Sequence, residues 1–237
     1  MTTNISIRGE ALPRLLAPLC LVSGLVFVMG EAVSAAAFRP TYSYATYYIS
    51  DLGVPICGPQ LLHRTYCSPL HSVMNAAFVI SGALLLLTYA LLWLSKRNWA
   101  TFAGMLLAAV NAIGLTLVGL VHGTLENLHN GSIAFHALGA LAAMVGGNAA
   151  IVIAGSSLLS SPSRSVRIAS KIIPLLGIAA FLTTLNATAH QQSLIFGNGW
   201  WERLGAYTIV FCQIAAGILL IRNRQRVATA TVQGQAT

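Results

Sequence analysis

Five stretches of this chain, residues 71–94, 100–121, 133–155, 172–189 and 204–221, contain no Asp, Glu, Lys or Arg. An apolar run of about 18 residues or more without charge reads as a membrane-spanning helix, because only a helix satisfies its own backbone in lipid. The last two runs have 18 residues each, at the lower limit for crossing. Composition agrees, with 56% hydrophobic and 8% charged residues, against roughly 25% charged in a soluble domain, and a mean hydropathy of +0.75. A sixth stretch, 15–37, is apolar except for Glu31. The fold class expected is therefore all-α, a bundle of six transmembrane helices.

The first stretch has a competing reading. Ala32 to Ala37 resembles the small-residue site at which a signal peptide is cleaved, but the apolar part of a signal peptide is usually about 7–15 residues. Here it is 23 residues, about 35 Å of helix, which favours a retained span. Residues 1–14 form a short polar N-terminus, and 222–237 a basic, then polar tail expected to be disordered.

Residues 38–70 are the longest polar interval, rich in tyrosine (Tyr42, Tyr44, Tyr47, Tyr48, Tyr66) as suits the headgroup region. A short interfacial helix is expected near 42–52, and Ser68-Pro69 reads as the cap and first position of the second span. Prolines 40, 55, 59 and 69 exclude one continuous helix there.

Charge sets the expected threading. With the N-terminus inside, inner segments hold ten of the thirteen basic residues, and outer segments hold only Arg39, Arg64 and Arg203. Lys and Arg in short loops orient membrane proteins, so both termini are expected in the cytoplasm, and the plasma membrane is the expected location. The formal net charge of +8 then reports this bias, and nucleic acid is not an expected partner; membrane lipids are.

In that orientation all six histidines and four of the five acids fall on the outer side. His122, Glu126 and His129 are spaced to share one face of a helical turn, followed by His136. His71 and Asn75 are one turn apart on the second span, His122 continues a face through Asn111, and His190 lies one turn beyond Asn186. Polar groups in lipid should face the bundle interior. A candidate outer pocket is thus Asp51, His71, Asn75, His122, Glu126, His190 and Glu202, flanked by Glu31; His63, in the long loop, lies on the same outer side. The competing reading makes Asn111, Asn186 and Gln213 simple hydrogen-bond glue between helices. Gly139, Ala143 and Gly147, at four-residue steps, read as a packing face. Cys57 and Cys67 lie ten residues apart in the outer loop and are expected to form a disulfide; Cys20 and Cys212 lie within spans.

The run Tyr42 to Gly53, with its Ile49-Ser50-Asp51-Leu52-Gly53 element, followed by Ser68-Pro69-Leu70-His71 and Asn75, resembles the membrane-protein family called domain of unknown function 998. Gly147-Asn148, His136 and Glu202-Arg203 are similar in placement. The resemblance implies a six-span fold but no reaction, so enzymatic activity stays open.

Three functions fit the residues. The first is binding or handling of a lipid or envelope component at the outer site without chemistry. The second is a membrane-embedded hydrolase holding zinc through some of His71, His122, His129, His136 and His190, with a carboxylate activating water. The third is a small-solute transporter, disfavoured because the mid-membrane positions carry amides and no ionisable group.

Overall fold

The computed structural model describes the backbone of residues 3–160 and 162–234, and the side chains of 14–62, 64–160 and 162–225. The elements are α1 (Thr3–Ala37), a 3₁₀ turn (Ser50–Gly53), a two-residue hairpin of β1 (Gly58–Pro59) and β2 (Thr65–Tyr66), α2 (His71–Lys96), α3 (Trp99–Leu120), α4 (Leu125–His129), α5 (Ile133–Ala154), α6 (Arg164–Ala189) and α7 (Asn198–Gly234). All but α4 of these helices are long and apolar enough to cross a membrane.

Short links make neighbours in sequence neighbours in space. The helices close into a ring, α1–α2–α3–α5–α6–α7, with α7 returning to α1 and α5 also touching α7 across the middle. Small residues set the spacing. A side chain at Gly114 would lie 2.3 Å from the Ala143 amide nitrogen, so α3 and α5 meet backbone to backbone along the Gly139–Ala143–Gly147 face. Between α6 and α7, a side chain at Gly177 would overlap the Thr208 hydroxyl at 2.1 Å.

Amides then tie the helices together. Asn111 donates to the Ala143 carbonyl at 2.6 Å, and Asn148 donates to the Gly205 carbonyl at 3.0 Å while accepting from the Thr208 hydroxyl at 2.7 Å. Asn186, however, is exposed. The buried face of α6 runs through Pro174, Gly177, Ala180, Phe181, Thr184 and Ala187, so Thr184 and Thr188 lie on the inward side and Asn186 turns away.

The bundle has two unlike ends. One carries Lys96, Arg97, Arg164, Arg167, Lys171 and Arg222, here called the basic end. The other carries the long loop 38–70, the link 121–132 and the link 190–197, here called the loop end. Several boundaries differ from expectation. α6 begins at Arg164, capped by the Ser163 hydroxyl on the Val166 amide, so its basic residues are helical rather than in a link. α7 begins at Asn198 and takes Glu202 and Arg203 into its first turns. Where a disordered tail is expected, α7 continues to Gly234; residues 222–233 contain neither Pro nor Gly and are rich in Arg, Gln and Ala, which propagate helix readily.

Candidate functional site

The long loop folds back onto the bundle instead of lying as an interfacial helix; over 42–52 it forms turns and then the 3₁₀ turn at Ser50–Gly53. Its aromatic rings drive this. Phe38 packs against Tyr42, Tyr47 and Tyr66 with ring centroids 5.0–5.1 Å apart, and Ile49, Leu52 and Val54 are fully buried beneath them. Cys57 and Cys67 are disulfide-bonded, and Arg39 pairs with Cys67 through two backbone hydrogen bonds of 2.9 and 2.8 Å. Ser68 does not cap α2. Its hydroxyl donates to the Leu52 carbonyl at 2.6 Å, and the helix starts later, at His71.

This fold-back gives Ile49, Asp51 and Gly53 of the Ile49–Gly53 element each a task, beside the Leu52 carbonyl already held by Ser68. The Ile49 amide donates to Glu202 Oε2 at 2.5 Å. Asp51 accepts from the Tyr48 amide at 2.8 Å, the Tyr66 hydroxyl at 2.9 Å and Arg64 Nη1 at 3.2 Å. Burial pushes the Asp51 carboxyl above its ordinary value, while the Tyr48 amide, Arg64 and Tyr66 pull it back. Gly53 lies against Asn75 so closely that a side chain there would sit 2.2 Å from Asn75 Oδ1, and its carbonyl accepts from Asn75 Nδ2 at 2.9 Å.

Beside this element lies a buried ionic centre. Arg203 (6% exposed) pairs with Glu31 (1% exposed), Nε donating to Oε1 at 2.9 Å, and Tyr207 donates to Glu31 Oε2 at 2.7 Å. Arg203 Nη1 reaches the carbonyls of Tyr44, Tyr47 and Gly199 at 2.7, 2.9 and 2.8 Å, and Nη2 reaches the Tyr42 hydroxyl. Every nitrogen of the guanidinium is engaged, which is what a charge buried at this depth requires. Sequence reasoning counted Arg203 as an outer basic residue and as part of the family-like Glu202-Arg203 pair, not as the partner of Glu31. Its signal was present: an Arg next to Glu202 at the mouth of an apolar run must find a buried partner.

The histidines gather elsewhere. His122 Nε2 lies 3.0 Å from Asn75 Nδ2. An amide nitrogen can only donate, so Nε2 is unprotonated, and the Gly119 carbonyl partners the ring from one turn back. Burial holds the His122 imidazole below its ordinary value; the Gly119 bond opposes this, and the nearby His71 adds to it. His136 Nδ1 contacts the Val121 carbonyl at 2.6 Å, with Nε2 toward Gly123. His71 Nδ1 lies 3.1 Å from the Ser68 carbonyl. The three rings and Asn75 are each half-buried, and Asn75 Oδ1 is buried without a hydrogen-bond partner.

The expected pocket is therefore divided. His71, Asn75 and His122 come together and are joined by His136. Asp51 and Glu202 belong to the loop-clamping network. Glu126 and His129 are exposed on α4, and His190 is exposed at the end of α6. The expected helical face of His122, Glu126 and His129 does not form, because α4 starts only at Leu125, capped by the Thr124 hydroxyl on the Asn127 amide. His190 caps α6 and contacts the Asn186 carbonyl at 2.9 Å, one turn back on the same exposed side. The side chain of His63 lies outside the described residues. Among the described residues, no three His, Cys, Asp or Glu side chains are arranged to share a metal ion.

Six spanning helices capped at one end by a disulfide-bonded, aromatic fold-back loop define a multi-pass membrane protein. The family described as "Protein of unknown function (DUF998)" matches residues 21–219, and the chain belongs to it. No curated protein and no solved structure matches the chain.

Proposed function

We propose that this protein binds a lipid or lipid-like envelope component through the histidine–amide cluster at its loop end, without chemistry of its own. The observation that carries this reading is the cluster itself: three half-buried imidazoles and Asn75, supplied by α2, α5 and the link after α3, gather at the loop end of the bundle. Imidazoles and amides offer hydrogen bonds to a headgroup. The carboxylates that a hydrolytic mechanism would need beside them, Asp51, Glu31 and Glu202, are held by Arg64, Arg203, tyrosines and backbone amides, and so serve the fold.

The basic asymmetry supports placing the loop end outside, with both termini cytoplasmic and the protein in the cell membrane. Reporter fusions after Arg97, Lys171 and Arg226 should read inside, and fusions near Gln60 and Asn198 outside.

The test is native mass spectrometry of protein purified in mild detergent, comparing wild type with His122→Ala and His71→Ala. The wild type should retain a lipid that both variants lose while still folded. Equal retention would overturn the reading. The metal-dependent hydrolase is the alternative that the three imidazoles keep in view, and stoichiometric zinc in elemental analysis of the same sample would favour it.

A further inference from the structure

The hydrogen-bond donors of the histidine cluster are already spent inside the protein. His71 Nδ1 faces the Ser68 carbonyl at 3.1 Å, and His136 Nδ1 faces the Val121 carbonyl at 2.6 Å. A carbonyl oxygen only accepts, so both rings carry a proton on Nδ1. In His122, Nε2 accepts from Asn75, and the ring proton goes to the Gly119 carbonyl. Asn75 Nδ2 gives one hydrogen to that ring and the other to the Gly53 carbonyl at 2.9 Å. Around them, the Ser68 hydroxyl donates to the Leu52 carbonyl and Asn127 Nδ2 to the His122 carbonyl at 2.7 Å.

What the four side chains have left are acceptors. A neutral ring protonated on Nδ1 presents Nε2 as a lone pair. Among the described residues, Nε2 of His71 and Nε2 of His136 have no hydrogen-bond partner, and neither has Asn75 Oδ1. His122 interacts electrostatically with both other rings, so a proton added to one is opposed by its neighbour. The arginines of this end turn elsewhere: Arg64 to Asp51, Arg203 to Glu31 and Arg39 to the Phe38 carbonyl. A phosphate or carboxylate brings only acceptors and finds no free donor among these side chains. A choline headgroup has no N–H to give. A primary ammonium has three N–H donors and no acceptor, and a charged donor makes a hydrogen bond roughly twice as strong as a neutral one.

We infer that the histidine cluster selects a lipid whose headgroup ends in a primary ammonium, of the phosphatidylethanolamine class, with N–H groups donating to the free imidazole Nε2 atoms. The inference rests on the cluster being a lipid site, as proposed above, and specifies the headgroup.

The experiment uses full-length protein in mild detergent and lipids with identical chains: phosphatidylethanolamine, its N-methyl and N,N-dimethyl derivatives, phosphatidylcholine and phosphatidylglycerol. The methylation series keeps the positive charge and the phosphate and removes one N–H at a time. Bound lipid, counted by native mass spectrometry, should fall at each step, with phosphatidylethanolamine retained about ten-fold over phosphatidylcholine. His71→Lys replaces an acceptor by a cationic donor and should turn the preference toward phosphatidylglycerol. Glycerophosphoethanolamine, the same headgroup without chains, should compete weakly; full displacement of the lipid at equal concentration would make the ligand a soluble amine and overturn the assignment to a lipid. Equal retention across the methylation series, lost altogether in His71→Ala, would overturn the headgroup inference and leave the lipid site standing. Retention that His71→Ala does not change would overturn the lipid site, and the inference with it.

Discussion

Arg203 and Glu31, 172 residues apart in the chain, meet through a 2.9 Å hydrogen bond that joins the last helix to the first. Both side chains are almost wholly buried, so neither charge can be solvated if the other is lost. Removing one partner of such a pair costs about 3–5 kcal/mol. Arg203→Ala and Glu31→Ala should each lower accumulation and melting temperature sharply, while Glu31→Leu combined with Arg203→Met should recover much of the loss. A double variant no better than the worse single one would show that the pair acts through something other than mutual charge.

The same contact bears on the first span. Cleavage after Ala37 would remove Glu31 and leave the Arg203 guanidinium facing Tyr42 and backbone carbonyls alone. We therefore expect the mature protein to retain residues 15–37, as its intact mass will show. A mass lacking them would mean that Arg203 is compensated by a different group.

Gly53 and Asn75 should prove coupled. Gly53→Ala places a methyl group 2.2 Å from Asn75 Oδ1 and should cost about 1–3 kcal/mol through forced displacement of the loop. Asn75→Ala removes that obstacle along with two hydrogen bonds, so the double variant should be less destabilised than the two single losses added. Strict additivity in a denaturation cycle would count against close packing at this point.

Acid should weaken the loop end. The folded His122 imidazole lies below its ordinary value of 6.5, so the unfolded chain binds the proton first. Its stabilising contribution is complete above about pH 6.5 and declines as pH falls toward the folded value. Asp51 is shifted upward and acts in the opposite sense, its contribution being lost as pH rises through its folded value. The comparison must therefore be made at His122 itself. Between pH 7.5 and pH 5, wild-type melting temperature should fall more than that of His122→Asn; identical slopes would refute the assignment of a neutral, half-buried ring.

How far these features were legible beforehand differs along the chain. The charge-free runs mark the helices because lipid tolerates no exposed backbone and few charges, and the Gly139–Ala143–Gly147 spacing marks a contact because close approach demands small residues. The fold-back of 38–70 was hidden: five tyrosines suit an interface and a packed cluster equally, and only three-dimensional placement puts Tyr42 on Arg203 and Tyr66 on Asp51. The histidine readings failed where helix arithmetic was carried past a helix end. His122 lies beyond Leu120, where α3 stops, and reaches Asn75 through a turn rather than along a face. His190 and Asn186 share a face, but spacing alone cannot say which face of α6 looks inward.

Photo-crosslinking in living cells tests the proposed binding site most directly. A crosslinking residue placed at His71 should capture one lipid species enriched over its share of the membrane, whereas the same residue at His190, exposed at the same end, should capture lipids in their bulk proportions. The same bulk mixture at both positions, or no lipid at His71, would contradict the account.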